Sequence, residues 1–212
     1  MLPLRLRRSL PCGPHLTSSP TVATGIGLLL LAAGPLVGPS LGIEQAQLGH
    51  SHNGAHAYVI TPKRRALLNT IRFAEGTWKQ GEAGYRTLYG GERFSNLERH
   101  PERLVVKRYA SAAAGAYQFL PGTWREAASQ LELESFNPQN QDQAALFLID
   151  RRGVLEQIDR QGLTRETMAV LAKEWASFPT LAGQSAYGQP VKQAESLERF
   201  YRSNLQTLVA QA

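Results

Sequence analysis

The chemistry of this chain centres on one carboxylate, Glu75, which closes an apolar run and has Gly76 directly behind it. The spacing of Leu67, Ile71 and Ala74 predicts a helix with one apolar face that ends at this glycine. Glu75 would then lie in the last turn, beside the apolar face and at the negative end of the helix dipole. Both surroundings raise the pKa of a carboxyl toward a range that suits proton donation. The other interpretation of Glu75 is an ordinary solvated helix end.

A second group of candidates lies where the small-residue loop 110–116 runs into Tyr117 and Gln118. Small residues let a ligand approach the backbone closely, a tyrosine ring offers a stacking face, and a glutamine amide both donates and accepts hydrogen bonds. A sugar needs this combination, although ordinary packing with one polar edge would produce the same pair. The sequence has no phosphate-binding loop, no Ser-His-Asp order and no zinc-ligand spacing that would favour other chemistry.

The elements that would position these residues are predicted to be mostly helical. A capping residue or a proline suits the first helical turn, and such starts stand at Thr61-Pro62, Pro121, Asn137-Pro138, Leu163-Thr164 and Pro190. The helix after Asn137-Pro138 is expected to end near Gly153. After Leu163-Thr164, apolar residues recur at helical spacing at Met168, Ala172 and Trp175. This pattern is more typical of a core than of a binding surface.

Two shorter pieces complete the predicted fold. Residues 81–94 hold aromatic and β-branched residues around Gly90-Gly91, which predicts a β-hairpin that would form one lip of a cleft beside the helix end. Residues 101–109 are expected to form a short buried element, which the pattern assigns to neither helix nor strand, around Leu104, Val105 and Val106. The expected class is therefore α+β, predominantly helical, with one small hairpin.

The N-terminal segment and the charge of the 212-residue chain limit its function further. Residues 1–42 carry three arginines before an apolar run that starts at Val22, a pattern typical of an export signal or an N-terminal anchor. Removing these arginines from the 23 basic residues leaves 20 against 17 acidic ones, a net charge of +3 that does not favour nucleic-acid binding. The one cysteine, Cys12, lies in the same segment, so no thiol chemistry is expected in the rest of the chain.

Residues 43–60 are predicted to be a flexible linker, and residues 61–212 one folded domain. The linker contains His50, His52 and His56, but no helix aligns them and no carboxylate follows closely, so we expect no metal site. The export segment predicts a location in the periplasm, the cell envelope or the medium. Membrane contact is expected only through that segment, if it is not removed.

Residues about 64–205 resemble the lysozymes of the phage lambda endolysin family, which are lytic transglycosylases with a lysozyme-like fold. The matching motifs follow one another in the same order and with similar spacing over nearly the whole domain. They are Ala74-Glu75-Gly76-Thr77, Gly84-Tyr85, Gly90-Gly91-Glu92, His100-Pro101, Gly115 with Tyr117-Gln118, Gln141-Asp142, Arg152-Gly153, Trp175-Ala176-Ser177 and Tyr187-Gly188-Gln189.

The resemblance implies cofactor-free cleavage of the β-1,4 bond between N-acetylmuramic acid and N-acetylglucosamine in peptidoglycan. It implies that Glu75 protonates the departing oxygen and then accepts a proton from the muramyl C6 hydroxyl, which attacks C1. The residues that it implies for glycan binding are Tyr85, Tyr117, Gln118, Trp175, Ser177, Tyr187 and Gln189. We expect a monomer acting on glycan strands. Two rivals stay open: a true muramidase, in which water breaks the same bond, and a non-catalytic peptidoglycan-binding domain.

The sequence departs from this family at Arg86, where the lambda lysozyme has an acidic residue after the Gly-Tyr pair. A helper carboxylate at that position is therefore absent, which favours a route with one carboxylate, whereas ordinary glycoside hydrolysis usually uses two. The remaining candidates for a second acid are expected to be surface charges or helix caps, and they are Glu82, Glu92, Glu98 and Asp142.

Overall fold

The computed structural model describes residues 57–212 of the protein. Helices are the main regular structure of this part, with bounds α1 Pro62–Ala74, α2 Pro121–Leu131, α3 Pro138–Arg151, α4 Leu155–Gln161, α5 Arg165–Leu171 and α6 Ala194–Ala210. Two strands, β1 Val105–Val106 and β2 Ala110–Ser111, pair antiparallel with Val105 opposite Ser111. The described part is therefore α+β and predominantly helical, as the sequence predicts.

Several sequence predictions fall outside these residues. The proposed export segment, Cys12 and the three histidines of the proposed linker all precede residue 57. The end of that linker is described, and it is bound to the domain. The Tyr58 N–H donates to the Gln143 side chain at 2.6 Å, and the Gln143 amide donates back to the Tyr58 carbonyl at 3.0 Å. Because both backbone groups of Tyr58 are paired with α3, residues 58–60 belong to the folded domain and not to a linker.

The predicted helix starts at capped prolines are confirmed for α1 and α3. Thr61 caps α1 by accepting a hydrogen bond from the Arg64 N–H at 3.3 Å. Asn137 caps α3 in the same way by accepting from the Asn140 N–H at 2.8 Å. In both helices a proline follows the cap, where its missing N–H costs no intrahelical bond.

Two other helix boundaries differ from the predictions. The helix after Thr164 ends at Leu171, so Trp175 lies beyond it, but Met168, Ala172 and Trp175 are all buried in the core, as the sequence predicts. The last helix begins at Ala194 and not at Pro190. The chain before it is held by the preceding loop instead, since the Lys192 N–H donates to a carbonyl of that loop at 2.9 Å. The short helix α4 was not predicted, because seven residues show too little periodicity.

The sequence predicts a β-hairpin at residues 81–94. The predicted strands are wrong, but the predicted reversal of the chain is present. Two 3₁₀ segments, Trp78–Arg86 and Tyr89–Gly91, occupy most of this stretch. The chain reverses at Gly90-Gly91, and the Phe94 N–H donates to the carbonyl of Arg86 at 3.0 Å. Four glycines within the eleven residues 81–91 allow turns that a ladder of strands would not tolerate.

The regular strands form later, at residues 105–111. The sequence predicts a buried element around Leu104, Val105 and Val106. Only Val105 is buried, whereas Leu104 and Val106 are 65% and 71% exposed. A strand alternates its side chains between two faces, so a run of three apolar residues at the surface cannot bury all of them.

The first helix, α1, lies in the core and carries the site. Its buried residues include Leu67, Leu68 and Ile71. On another face α6 packs against it. There the rings of Phe73 and Phe200 stack with centroids 4.3 Å apart, and Asn69 donates to Asn204 at 2.8 Å. Packing on both faces holds the helix end rigidly. Within residues 57–212, no helix combines the length and apolarity that a membrane crossing needs.

Candidate active site

The C-terminus of α1 is closed by a Schellman motif, which fixes the direction of Glu75. Glu75 is the last residue with helical backbone angles, and Gly76 follows with a φ of +79°. The Gly76 N–H donates to the Phe73 carbonyl at 3.3 Å, and the Thr77 N–H donates to the Arg72 carbonyl at 2.9 Å. These two bonds define the motif. The predicted stop at Gly76 is confirmed, and any larger residue would be strained at this φ.

Glu75 receives a hydrogen bond from a residue far away in the sequence. Ser177 Oγ donates to Glu75 Oε1 at 2.6 Å, across 102 positions of the chain. Burial raises the pKa of Glu75 from its ordinary value of 4.5 to about 7, and the Ser177 hydrogen bond opposes this rise because it stabilises the charged form. A glutamic acid with this pKa keeps its proton on a large fraction of molecules at neutral pH, as a proton donor must.

Three loop segments are joined around Glu75 by side-chain hydrogen bonds. Thr77 Oγ1, two residues after Glu75, donates to the Ala116 carbonyl at 2.6 Å. The next carbonyl, that of Tyr117, accepts from the Trp175 indole N–H at 3.1 Å. Together with the bond from Ser177, these contacts connect residues 75–77, 116–117 and 175–177. The structure thus brings together three of the motifs that the sequence shows as separate pieces.

The second of these segments belongs to a tight reversal, residues 114–119, closed by two backbone hydrogen bonds of 3.0 and 2.9 Å. Gly115 has a φ of +81°, and a Cβ at this position would lie 2.3 Å from Gln141 Oε1. Gln118 also has positive φ, +49°, and its Nε2 donates to the carbonyls of Thr87 and Gly115 at 3.1 and 2.9 Å. The amide donors of Gln118 therefore hold the turn. Its Oε1 has no hydrogen-bond partner among residues 57–212 and can accept from a ligand.

A buried carboxylate, Asp142, holds this arrangement from behind. Its Oδ1 accepts from the hydroxyls of Tyr85 and Tyr117 at 2.8 and 2.5 Å, and its Oδ2 pairs with Arg65 at 2.6 Å. Burial and the Asp142 charge raise the pKa of Tyr85 to about 12 and raise the pKa of Tyr117 as well, so both hydroxyls stay protonated and donate. The sequence-based assignment of Asp142 to the surface or to a helix cap is therefore wrong.

Its neighbour Gln141 performs a similar structural role. Gln141 Nε2 donates to the carbonyls of Tyr85 and Phe136 at 3.0 and 2.8 Å, and Gln141 Oε1 accepts from the Ala116 N–H at 2.9 Å. The sequence analysis did not assign this role. A signal was present, because Gln141 precedes Ala145 and Leu148 by four and seven positions and so lies on the buried face of α3.

Three aromatic residues that the resemblance assigns to glycan binding have no open ring face. Tyr85, Tyr117 and Trp175 are only 4%, 0% and 3% exposed. Their polar atoms are bonded inside the protein, to Asp142 for the tyrosines and to the Tyr117 carbonyl for the tryptophan. We therefore assign these three residues a supporting role and not direct contact with glycan, because a buried ring cannot stack on a sugar.

The other predicted binding residues are accessible. Ser177 is half-buried beside Glu75, and Tyr187 is 58% exposed, with its hydroxyl donating to the Lys173 carbonyl at 2.8 Å. Gln189 is exposed on the same loop. Ser185 Oγ accepts from the backbone N–H groups of Tyr187 and Gln189 at 3.0 and 3.1 Å, which fixes the loop. Glycan binding by these residues stays a prediction.

The described part of the chain offers few other groups for chemistry. Glu82, Glu92 and Glu98 are exposed, as expected for surface charges. No group of histidine, cysteine, aspartate and glutamate residues that could hold a metal ion occurs within residues 57–212. Surface cavities of about 640, 620 and 350 Å³ lie elsewhere, and Glu75 lines none of these three.

This predominantly helical fold, with a half-buried glutamate at the end of a core helix, defines a lysozyme-like class of enzyme. The family model for endolysins matches residues 65–208, which is more than half of the chain. The chain belongs to the endolysin family.

Individual relatives agree with this membership. The chain is 37% identical to the endolysin of Escherichia phage lambda over 144 residues, covering 65% of this chain and 88% of the relative. It is 36% identical to the endolysin of Escherichia phage P2, covering 65% of this chain and 90% of that protein. A solved structure of bacteriophage lambda lysozyme in complex with a chitohexasaccharide matches with a TM-score of 0.63 at 33% identity, over 69% of this chain and 96% of the other. These findings confirm the predicted family and its lysozyme-like fold.

Proposed function

We propose that this chain cleaves the β-1,4 bond between N-acetylmuramic acid and N-acetylglucosamine in peptidoglycan, with Glu75 as its one catalytic carboxylate. The observation that carries the proposal is the half-buried position of Glu75 at the end of α1, where Ser177 Oγ donates to its Oε1 at 2.6 Å and burial raises its pKa to about 7. Membership of the endolysin family supports the same substrate. The lambda lysozyme was solved with a chitohexasaccharide, which supports a glycan strand as the ligand of this chain.

In the first step, Glu75 donates its proton to the glycosidic oxygen while the bond from that oxygen to C1 breaks. The carboxylate that remains is stabilised by the hydrogen bond from Ser177 to Oε1. This bond leaves Oε2 for the proton transfer. Gln118 Oε1, Tyr187 and Gln189 provide polar contacts that can orient the glycan.

In the second step, the ionised Glu75 takes the proton of the muramyl C6 hydroxyl, and the oxygen of that hydroxyl bonds to C1. The product is a 1,6-anhydro end, and the proton returns to Glu75, so neither water nor a second carboxylate is consumed. The residue after the Gly84-Tyr85 pair is Arg86, so the helper carboxylate that the resemblance would place there is absent, which supports this route. Asp142 is already bound to Arg65 and two tyrosines.

The location of the enzyme is proposed from the sequence alone. Residues 1–42 combine three arginines with an apolar run, and peptidoglycan lies outside the cytoplasmic membrane. We infer that the chain is exported and acts as a monomer on glycan strands in the cell envelope or beyond it.

The test is a mass spectrum of the soluble products of purified peptidoglycan, digested by the chain and by its Glu75→Gln variant. Glutamine is nearly isosteric and can still accept the hydrogen bond from Ser177, but it cannot donate an acid proton. We expect activity to fall by about 10²–10⁴-fold or more, the usual contribution of a positioned acid-base group. The matched control is Glu82→Gln, which removes an exposed carboxylate and should leave activity unchanged.

The product masses distinguish the mechanisms. Muropeptides about 18 Da lighter than hydrolytic products would support internal attack by the C6 hydroxyl. Products at the hydrolytic mass would mean that water attacks and that the enzyme is a true muramidase. Binding to the wall without any products would favour a binding domain, and an active Glu75→Gln variant would exclude Glu75 as the acid.

A further inference from the structure

Lys192 contacts both sides of the hydrogen bond between Ser177 and Glu75. Its backbone N–H donates to the Ser177 carbonyl at 2.9 Å, and its Nζ lies 5.4 Å from the centre of the Phe73 ring. Ser177 is the residue whose hydroxyl donates to Glu75, and Phe73 precedes Glu75 by two positions at the end of α1. One residue therefore joins the loop that supplies the donor to the helix that carries the acceptor.

The backbone hydrogen bond of Lys192 closes the base of a loop, residues 178–191. From Thr180 onward the residues of this loop are exposed or half-buried. Within the described part of the chain, its side-chain hydrogen bonds to the rest of the domain reach only residues 173–176, the segment directly before it. These bonds fold the loop onto its own beginning and do not attach it to α1. Its position relative to Glu75 therefore depends on the residues at its two ends.

The two ends of the loop are held in different ways. At the first end, Phe178 follows Ser177 directly and its side chain is fully buried. At the second end, Lys192 is exposed, and α6 begins two residues later without a side-chain cap from Gln193. The contacts of Lys192 are the Ser177 carbonyl and the Phe73 ring. Lys192 thus determines where the returning chain meets Ser177.

Phe73 gives the ammonium group of Lys192 a fixed partner. The Phe73 ring stacks on Phe200 of α6 with centroids 4.3 Å apart and planes inclined by 4°, and Trp78 meets Phe200 edge-on at 5.6 Å. An aromatic face attracts a cation through its quadrupole. Within residues 57–212 the ammonium group forms no ion pair that would compete for it. The side chain of Lys192 is therefore held over α1 by this contact.

We propose that Lys192 is a positioning residue, which holds Ser177 so that its hydroxyl points at Glu75, an inference that rests on the proposed function. The ammonium group fixes the Lys192 side chain on Phe73, and the Lys192 N–H passes this position on to the Ser177 carbonyl. Lys192 acts through Ser177 and not by its charge. The pKa of Glu75 is shifted by burial and by the Ser177 hydroxyl, with no contribution from a charged side chain of residues 57–212.

The test is a pH titration of the full chain by NMR, which follows the ¹³C shift of the Glu75 carboxyl, identified by its absence in Glu75→Gln. Lys192→Met keeps the aliphatic stem and removes the cation. We expect the pKa of Glu75 to rise by about 0.2–0.5 pH unit, less than in Ser177→Ala, because an exposed cation–π contact is weak. Lys192→Arg keeps a cation over the ring and should restore the pKa. The control Lys79→Met removes the same charge from an exposed position and should not change it.

A double-mutant cycle separates positioning from charge. In the Ser177→Ala background, Lys192→Met should no longer change the pKa of Glu75, because the hydroxyl through which Lys192 acts is gone. A rise of equal size in both backgrounds would mean that the ammonium group acts by its charge, and no rise in either would mean that Ser177 is held without it. Either result would overturn the proposal. If the unaltered chain cleaves no peptidoglycan, the proposed function fails, while the titration still decides the role of Lys192.

Discussion

Glu75 is a carboxylate at a helix position where a positive charge is usually favoured. The carbonyl groups at the end of α1 and the surrounding apolar residues both oppose its negative charge. Burial therefore raises the pKa of Glu75 to about 7, while the hydrogen bond from Ser177 limits the rise. The protonated form is the one that can act as an acid, so kcat/KM should fall as the pH rises through about 7.

Removal of the Ser177 hydroxyl should change this pH dependence. Ser177 stabilises the charged form of Glu75, so the Ser177→Ala variant should have a higher pKa at Glu75. We expect the alkaline limb of the kcat/KM profile to move upward by roughly half to one pH unit, as for the loss of one hydrogen bond to a charged group. Ser203→Ala, at an exposed position of α6, is the control and should not move the limb. A downward shift in Ser177→Ala would contradict the assigned role of the hydroxyl.

The roles of single residues in the candidate site could be predicted from the sequence only in part. Glu75 was found from its place after an apolar run, and Ser177 only from the family motif. The sequence left two roles open for Tyr117 and Trp175, core packing and glycan binding, because a ring that stacks on a ligand and a ring that fills the core occupy similar sequence patterns. The structure places both rings in the core. The difference is made by Asp142, which is 25 positions from Tyr117 in the sequence and binds its hydroxyl.

At the scale of elements, the turn 114–119 depends on the absence of a side chain at Gly115. A Cβ there would lie 2.3 Å from Gln141 Oε1 and would occupy a backbone with a φ of +81°. The Gly115→Ala variant should therefore lose about 2–4 kcal/mol of unfolding free energy, from backbone strain and overpacking together. Thermal unfolding followed by circular dichroism measures this loss.

The control for Gly115→Ala is Gly183→Ala. Gly183 also has positive φ, +74°, but no atom lies within 4 Å of its Cβ position. It should lose only the strain of about 1–2 kcal/mol. Equal losses in the two variants would mean that the contact with Gln141 has no role in the stability of the turn.

Elements with a strong local signal were predicted well. The Thr-Pro and Asn-Pro starts of α1 and α3 were correct because capping and proline geometry depend on adjacent residues. Residues 81–94 were assigned wrongly to strands, since their 3₁₀ form depends on contacts with distant segments. One such contact is the bridge between Leu88 and Ala114, 26 positions later.

At the scale of the whole molecule, Asp142 joins parts of the chain that are far apart in sequence. It connects α1 through Arg65, the 3₁₀ segment through Tyr85 and the turn through Tyr117. The Asp142→Asn variant would leave Arg65 without its counter-charge, and we expect a loss of about 3 kcal/mol or more. Chemical denaturation measures it. Glu156→Gln, at a side chain that is 85% exposed, should cost at most a few tenths of a kcal/mol. If Asp142→Asn lost no more unfolding free energy than Glu156→Gln, this would contradict the structural role of the Asp142 carboxylate.

The overall class, predominantly helical α+β with a lysozyme-like fold, could be predicted from the order of motifs along the chain. The network around Asp142 could not, because sequence shows polar residues at core positions but not which partners satisfy them. Gln141 and Asp142 stand side by side in α3, and only the assembled fold shows that each is bonded to three other residues.

The packing of α6 on α1 joins the beginning and the end of the described part of the chain. Asn69 and Asn204, which join the two helices, are 135 positions apart, on the first and last helices of the described part. While the chain is being synthesised, α1 emerges long before α6, so the side of α1 around Phe73 stays uncovered until the last helix has left the ribosome. The Phe73 side of α1 can therefore be packed only after residues 194–210 have been made.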